Sequence, residues 1–199
     1  MILTSYSPAD YRVTQWKNGA GETLELLQEL APDSNGFLWR ISIADVKASG
    51  FFSDYPGIDR QFMLIDGRGM VLDFGGAAPA VAITKPLQPY SFMGEWKTEC
   101  HLTKGPVKDF NLMVRRDWGS GKLMGFTMAR GQRISLSAAP LTIVHVLSGR
   151  IECQDRIFDA GATLKLESDD PRRFGIVPMM DPTSIASAAL TTKPAPSAG

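Results

Sequence analysis

The sequence is poor in histidine and cysteine, the residues that most often hold metal ions and disulfides together. It has two histidines and two cysteines in 199 residues. Cys100 and Cys153 lie far apart and form no Cys-x-x-Cys pair, so no disulfide framework is indicated. Two isolated, buried thiols suit a reducing compartment, and we expect a cytoplasmic protein that carries no cofactor.

An excess of charge and long apolar runs are also missing. Lys and Arg number 21, as do Asp and Glu, so no global field draws the chain to nucleic acid or to an anionic membrane. Basic residues around Trp118 are better explained as scattered solvated charges. No apolar run approaches the roughly 18–20 residues that span a bilayer, and the first residues do not resemble a secretory signal. We expect neither a nucleic-acid nor a membrane partner.

Glycine and proline are plentiful, and they divide the chain into short segments typical of β-structure. There are 19 glycines and 13 prolines, and many segments between them alternate or are β-branched. In the segment 37–46, Trp39 and Ile41 fall on one face of a strand, while Arg40 and Ser42 fall on the other. No segment keeps helical apolar spacing for three turns. The sequence therefore predicts an all-β fold.

A weak internal repeat suggests two similar halves. Residues 62–74 and 142–154 both read as an apolar strand, a Gly-Arg turn at Gly67 or Gly149, and a second strand. A strand–turn–strand unit that recurs at a domain-sized interval favours two sandwich or barrel halves.

The predicted division follows from this repeat. We expect an N-terminal barrel over residues 1–98 and a C-terminal barrel over residues 99–180, with terminal strands open to sharing between the halves. Residues 181–199 are rich in Ala, Ser, Thr and Pro and carry one charged residue after Asp181. This composition predicts a flexible tail.

The strand and glycine pattern around 146–166 resembles that of a cupin, a small jelly-roll-like β-barrel. More specifically, the chain resembles the HutD/Ves family of bicupins, which join two such barrels in tandem. The resemblance covers roughly residues 1–180 and rests on four motifs, at residues 16–26, 39–72, 92–96 and 109–116. It implies a bicupin fold and a regulatory role in histidine utilisation, through sensing of a small carboxylate such as urocanate or formylglutamate. No enzymatic activity is established for the family.

Many cupins bind a metal through histidines and a glutamate, and this pattern is missing here. The glutamate would stand seven residues before the turn glycine, but Arg60 and Thr142 occupy those positions. A divalent ion needs at least three converging donors, so we predict that neither half binds metal. His145 lies among valines in a strand and is expected to be a hydrogen-bonded core residue.

Arg60 places a cation where the cupin pattern would place a metal ligand. A guanidinium stays charged and presents paired donors that suit a carboxylate. Arg40 and Ser42 share a strand face, and Asn111 adds an amide. The predicted ligand-binding residues are Lys17, Asn18, Arg40, Ser42, Arg60, Phe62 (as an apolar wall) and Asn111. The alternatives are that both arginines are solvated or paired with Asp or Glu, and that Asn111 serves its local backbone.

The glycine-rich segment 15–27, QWKNGAGETLELL, does not fit a phosphate-binding loop. Its lysine precedes the glycines and a strand follows them, so no helix N-terminus faces an anion. We expect a tight turn in which Gly19 and Gly21 take backbone angles that other residues avoid. Ala20 interrupts the run of glycines that is common in the HutD/Ves family.

Three functions remain open from the sequence. The leading one is a metal-free, non-catalytic bicupin that binds a small organic carboxylate in its N-terminal barrel. The second is a metal-free isomerase or hydrolase with Lys17 or an Asp as general base, and the third is a protein-interaction module. Neither histidine lies near a nucleophile in the sequence, so nucleophilic catalysis is not indicated. The oligomeric state stays open, a homodimer included.

Overall fold

A computed structural model describes residues 1–16, 19–32, 36–137, 140–170 and 172–193. Within these ranges the chain forms nineteen strands and one 3₁₀ turn, Pro8–Asp10. The strands are β1 (Ile2–Tyr6), β2 (Arg12–Gln15), β3 (Gly21–Leu30), β4 (Phe37–Val46), β5 (Gly50–Phe51), β6 (Ile58–Asp66), β7 (Met70–Asp73), β8 (Val81–Ile83), β9 (Tyr90–Met93), β10 (Glu99–Leu102), β11 (Val107–Arg115), β12 (Gly119–Met128), β13 (Ile134–Ser137), β14 (Leu141–Ser148), β15 (Arg150–Cys153), β16 (Arg156–Asp159), β17 (Thr163–Glu167), β18 (Arg173–Pro178) and β19 (Thr183–Thr192). The predicted all-β class is confirmed. No helix in the described ranges is long and apolar enough to cross a membrane.

The strands form four antiparallel sheets. The first barrel combines a six-stranded sheet, β2-β3-β4-β11-β6-β9, with a four-stranded sheet, β5-β10-β7-β8. The second barrel combines a five-stranded sheet, β1-β17-β14-β19-β12, with a four-stranded sheet, β13-β18-β15-β16. Each barrel is therefore a pair of facing sheets, as in a jelly roll.

Each barrel has its own apolar core between its two sheets. In the first, Phe62 and Leu64 of the large sheet meet Leu72 and Cys100 of the small one. In the second, the corresponding cluster includes Val146, Leu164, Ile151, Phe158 and Ile176. The predicted alternation of inward and outward residues produces these cores directly.

A third core joins the two barrels, because their large sheets pack back to back. Ile41 and Leu112 of the six-stranded sheet pack with Ile143, Ala188 and Leu190 of the five-stranded sheet, and all five are almost fully buried. Burying such a side chain stabilises the fold by about 1.5–3 kcal/mol. The six-stranded sheet is thus covered on one face by the second barrel, while its other face lines the interior of the first.

Strand pairing does not follow the predicted division at residue 98. β10 pairs with β7, and β11 pairs with β4 and β6, so both belong to the first barrel although they follow that position. β1 instead pairs with β17 in the second barrel, a shared terminal strand of the kind that the sequence interpretation allowed for. Pairing between strands that are distant in sequence decides which barrel a strand belongs to, and the internal repeat does not reveal that pairing.

The prediction of a flexible tail over residues 181–199 is wrong up to residue 193. β19 lies between β14 and β12, and its residues Ile185, Ala186 and Leu190 are fully buried. Ala186 and Ala188 belong to the core between the two large sheets, where small side chains let the backbones approach. Residues 194–199 lie outside the described ranges.

Candidate functional site

Strand register brings the two predicted arginines into one row. Met113 of β11 pairs with Arg40 of β4 on one side and with Arg60 of β6 on the other. Neighbouring strands lie about 4.8 Å apart, so the two arginine Cα atoms are separated by roughly 10 Å. Asn111 pairs in the same way with Ser42, one step along the same face of the sheet. Four side chains named from the sequence therefore project into the first barrel together.

A cavity of about 520 Å³ lies on this face of the six-stranded sheet. Its size is typical of a small-molecule site. Trp16, Phe52 and Tyr55 contribute aromatic walls, while Thr23 and Glu25 add polar groups from β3. A mixed lining of flat apolar surfaces and a few polar groups is what small organic ligands require.

Arg60 is buried, with 6% of its surface exposed. Its guanidinium carbon lies 4.7 Å from the ring centre of Phe92, 5.3 Å from that of Phe52 and 5.6 Å from that of Tyr55. Nη1 donates a long hydrogen bond of 3.4 Å to the Ser53 carbonyl, and Nε has no partner within the described residues. Burial lowers the pKa of Arg60 to about 10, which still leaves the side chain cationic at neutral pH.

Arg40 contacts the same tyrosine. Its Nη2 donates to the Tyr55 hydroxyl at 3.1 Å, and its guanidinium lies 4.7 Å from the Phe37 ring centre and 5.3 Å from that of Tyr55. Nε of Arg40 is also buried without a partner in the described part of the chain. Aromatic rings hold both guanidinium groups in place, while the Nε of each has no hydrogen-bond partner in the described residues.

Asp109 supplies a buried acid to the same cavity. It lies next to the Asn111 position on the inward face of β11, and only 2% of its surface is exposed. The Asn111 amide donates to Oδ1 of Asp109, whereas Oδ2 has no partner among the described residues. Burial raises the pKa of Asp109 to about 7, against an opposing effect of the Arg60 charge. This carboxyl therefore changes its charge near neutral pH.

The structure brings together four of the seven predicted site residues: Arg40, Ser42, Arg60 and Asn111 all line the cavity. Arg60 is not solvated, and within the described residues neither arginine forms an ion pair with Asp or Glu. The amide of Asn111 serves the Asp109 carboxyl through a side-chain bond.

Phe62 does not form the predicted apolar wall. It is 1% exposed and packs inside the core of the first barrel, edge-on to Phe92 at 5.9 Å and to Tyr90 at 6.4 Å between ring centres. Phe52 and Tyr55, from the loop between β5 and β6, take that place. Lys17 and Asn18, the remaining predicted residues, lie outside the described ranges.

Sequence reasoning missed Asp109, Glu25 and the loop aromatics. A signal for Asp109 was present, because it stands two residues before Asn111 and must share its face in a strand. Glu25 pairs with Ser42 across β3 and β4, a neighbour relation that only strand order reveals. Phe52 and Tyr55 belong to a loop, where no periodicity identifies which side chains turn inward.

The residues of this cavity do not fit the metal that many cupins bind. Two guanidiniums face the same space as the carboxyls of Glu25 and Asp109, and cations close to a metal position oppose its charge. Within the described residues, no three His, Cys, Asp or Glu side chains form a group that could hold a metal ion. His145 is a buried residue whose Nδ1 is 2.8 Å from Thr163 Oγ1, which confirms the expectation of a hydrogen-bonded core histidine.

Two glycines of the segment 15–27 lie against Trp16 and position it at the cavity. Gly19 has a φ of +69°, and its amide donates to the Trp16 carbonyl at 3.0 Å. Gly21 does not take the left-handed conformation predicted for it and is needed for space. A Cβ there would lie 2.3 Å from the Asp45 carbonyl oxygen and 3.2 Å from the Trp16 ring. The Trp16 indole donates to Thr23 Oγ1 at 2.9 Å, which fixes its orientation.

Comparison with known sequences connects this geometry to a family. The family model described as HutD matches residues 8–177. Protein Ves of Cronobacter sakazakii is 37% identical over 146 residues, which cover 73% of this chain and 76% of that protein. An uncharacterized 21.2 kDa protein from the hutC 3′ region of Pseudomonas putida is 32% identical over 168 residues, covering 81% and 85% of the two chains.

Solved structures agree with these sequence matches. HutD from Pseudomonas fluorescens superimposes with a TM-score of 0.82 at 27% identity, over 97% of this chain and 100% of that one. A mutant of the oxalate decarboxylase OxdC from Bacillus subtilis, a cupin, superimposes with a TM-score of 0.66 at 8% identity, over 96% and 78% of the chains. The second likeness concerns the fold alone.

Proposed function

This chain belongs to the HutD family, and we propose that its first barrel binds a small organic carboxylate, of the formylglutamate or urocanate type, without metal. The family and the relative from a hutC region link the chain to histidine utilisation. Breakdown of histidine yields small carboxylates of this chemical class. Binding one of them would let the protein sense the pathway and modulate it.

One observation carries this proposal: unpartnered buried polar atoms gather at a single cavity. In the described residues, four buried side-chain polar atoms lack a hydrogen-bond partner, and three of them are Arg40 Nε, Arg60 Nε and Asp109 Oδ2. Leaving such an atom unpaired costs about 1–3 kcal/mol, more for a charged group. A ligand that reaches all three offsets this cost on binding.

The charges favour an anionic ligand. Arg60 is a desolvated cation without an acidic hydrogen-bond partner in the described chain, and Arg40 lies in the same row with part of its fork unused. A carboxylate accepts the paired N–H donors of a guanidinium in a planar geometry. Trp16, Phe52 and Tyr55 offer flat faces for the remaining atoms of the ligand.

The test is calorimetry with formylglutamate and urocanate on the full chain and on Arg60→Ala. We expect binding by the wild type and a loss of at least about 30-fold in the variant, because removing a buried charge-assisted contact costs on the order of 2–5 kcal/mol. Arg156→Ala is the matched control. The Arg156 guanidinium also stacks on a ring, 5.2 Å from the Phe158 centre, but is exposed on the second barrel.

Two results would contradict the proposal. One is the absence of binding heat with either carboxylate under conditions in which the protein is folded. The other is equal affinity of Arg60→Ala and Arg156→Ala, which would remove Arg60 from the binding site.

A catalytic role is a second candidate, and Asp109 is the observation that favours it. Its pKa of about 7 suits a general acid or base at physiological pH. Incubation of the pure protein with the same two compounds, followed by mass spectrometry, decides between binding and turnover. Turnover that disappears in Asp109→Asn would make the protein a metal-free isomerase or hydrolase.

A further inference from the structure

Asp109 has one carboxyl oxygen engaged and one directed to no protein donor. Oδ1 accepts from the Asn111 amide, while Oδ2 is buried and unpartnered within the described chain. Both cavity arginines approach other groups, and no ion pair within 4.0 Å joins either of them to Asp109 in the described residues. The free oxygen therefore requires either a proton of its own or a donor from outside.

Several titratable groups lie in or near the cavity that Asp109 lines. Arg60 on β6 acts on it as a nearby positive charge, and Arg40 on β4 lies farther along the same face. Glu25 on β3 lines the same cavity as a second carboxyl. The other groups that belong to this environment are Tyr55 and Asp54 in the loop before β6 and Cys100 on β10. One cation close to a fully buried acid does not hold that acid ionised once a second anion enters.

We propose that Asp109 is the specificity-determining residue of this site: it is protonated in the complex and donates a hydrogen bond from Oδ2 to an oxygen of the bound carboxylate. The inference rests on the proposed function, since it requires a carboxylate ligand. The bound carboxylate takes its other donors from Arg40 and Arg60. Above neutral pH, binding of each ligand is then accompanied by uptake of one proton from solvent by Asp109.

Like-charge repulsion is the physical reason. An ionised Asp109 beside a bound carboxylate would place two anions in a water-poor cavity, and such pairs share one proton because both cannot stay charged. A neutral acid removes the repulsion and supplies a donor at the same time. A protonated Asp109 also selects among ligands. Its O–H group can donate to a ligand oxygen, whereas a ligand N–H in the same place would put two donors against each other.

The sign of the pH effect follows from the free protein. Asp109 titrates there at about pH 7, so below that pH it already holds the proton and binding takes up none. Above that pH the proton comes from solvent, and affinity falls about tenfold for each further pH unit. At pH 8 we expect uptake of about 0.9 proton per ligand, and at pH 6 about 0.1.

The experiment is titration calorimetry of the full chain with formylglutamate, whose carboxyl groups stay ionised from pH 6 to 8.5. Measuring at pH 8 in Tris and in triethanolamine, which differ in ionisation enthalpy and are not anions, gives the number of protons taken up. In Asp109→Asn the amide nitrogen replaces Oδ2 as a donor that does not titrate. This variant should bind with no proton uptake, independently of pH, and within about threefold of the wild-type affinity at pH 6. Asp109→Ala should bind weakly at every pH.

The outcomes separate this inference from the proposed function. Binding by the wild type without proton uptake at pH 8 overturns the role of Asp109 and leaves carboxylate binding intact. Proton uptake that persists in Asp109→Asn but disappears in Glu25→Gln assigns the proton to the other cavity carboxyl and overturns the inference as well. No binding of either carboxylate by the folded wild type overturns the proposed function and this inference with it.

Discussion

At the scale of single residues, the buried carboxyl of Asp109 lowers the unfolding free energy of the ligand-free protein at neutral pH. Burial raises the pKa of Asp109 from 3.8 to about 7, so the folded chain holds a proton that the unfolded chain releases from about pH 4 upward. For a pKa that folding raises, the stabilising contribution is complete below the unfolded value and is lost as the pH rises through the folded value. Asp109 therefore lowers the free energy of unfolding progressively between pH 4 and pH 7.

Replacing Asp109 by Asn should remove this loss. The amide keeps the shape and can still accept from Asn111, but it has no charge to desolvate. We expect equal unfolding free energies for wild type and Asp109→Asn near pH 4, and a variant that is more stable by roughly 1–4 kcal/mol at pH 8. Urea unfolding at the two pH values measures the difference. Asp169→Asn, at an exposed carboxyl, should show no such gain, and a variant no more stable than wild type at pH 8 would contradict the argument.

Strand periodicity explains which site residues could be predicted. Arg40, Ser42, Arg60 and Asn111 were accessible because a strand fixes which face each side chain takes. Periodicity gives the face of the sheet but not how deeply a side chain is buried. Phe62 is therefore on the predicted face, but it packs in the barrel core and does not line the cavity. The aromatics that do contact the cavity come from a loop, where the backbone follows no repeat.

At the scale of elements, the hairpin from β2 to β3 determines where one wall of the cavity stands. Trp16 follows directly after β2 and its indole lies over Gly21, whose backbone pairs with Val46 in β4. Because residue 21 has no side chain, the Trp16 ring and the backbone of β4 at Asp45 can both pack closely against it.

Gly21→Ala should displace the Trp16 ring or strand β3. The added methyl would lie 2.3 Å from the Asp45 carbonyl oxygen, so β3 must shift or Trp16 must leave its position. Overpacking of this kind costs about 1–3 kcal/mol, and we expect weaker formylglutamate binding together with the lower unfolding free energy. Gly19→Asn is the control, since no atom lies within 4 Å of a Cβ there and Asn tolerates a φ of +69°. A Gly21→Ala protein with wild-type stability and affinity would show that the turn does not position the wall.

Strand order shows where sequence reasoning ends at this scale. Nothing local in the sequences of β10 and β11 indicates that these strands return to the first barrel. β19 was missed for another reason, since its alternating Ala and Ser residues have little hydrophobicity of their own. Their burial depends on the six-stranded sheet packing against one face of β19 and the core of the second barrel forming on the other, which is a property of the assembled fold.

At the scale of the whole molecule, His145 lies where the two barrels meet. Its ring centre is 5.8 Å from that of Phe110 in the first barrel, and Nδ1 contacts Thr163 Oγ1. The same Thr163 oxygen is 2.7 Å from the hydroxyl of Tyr11, which stands just before β2. His145, Thr163 and Tyr11 thus form one hydrogen-bonded group. It links the second barrel to Phe110 of the first barrel and to the start of β2, the strand that leads to the cavity.

Acidification should destabilise the folded protein through His145, because the unfolded chain takes up a proton that the buried ring does not. Burial lowers its pKa from 6.5 to about 4, so its stabilising contribution is complete above pH 6.5 and is lost as the pH falls toward 4. In His145→Gln we expect the loss of unfolding free energy between pH 7 and pH 5 to shrink by about 1–2 kcal/mol. Urea unfolding measures it best in an Asp109→Asn background, because Asp109 contributes the opposite slope over the same pH range. His101→Gln, at an exposed histidine, should leave the loss unchanged. Equal acid sensitivity in both variants would mean that burial of a neutral His145 does not contribute to the acid sensitivity of the fold.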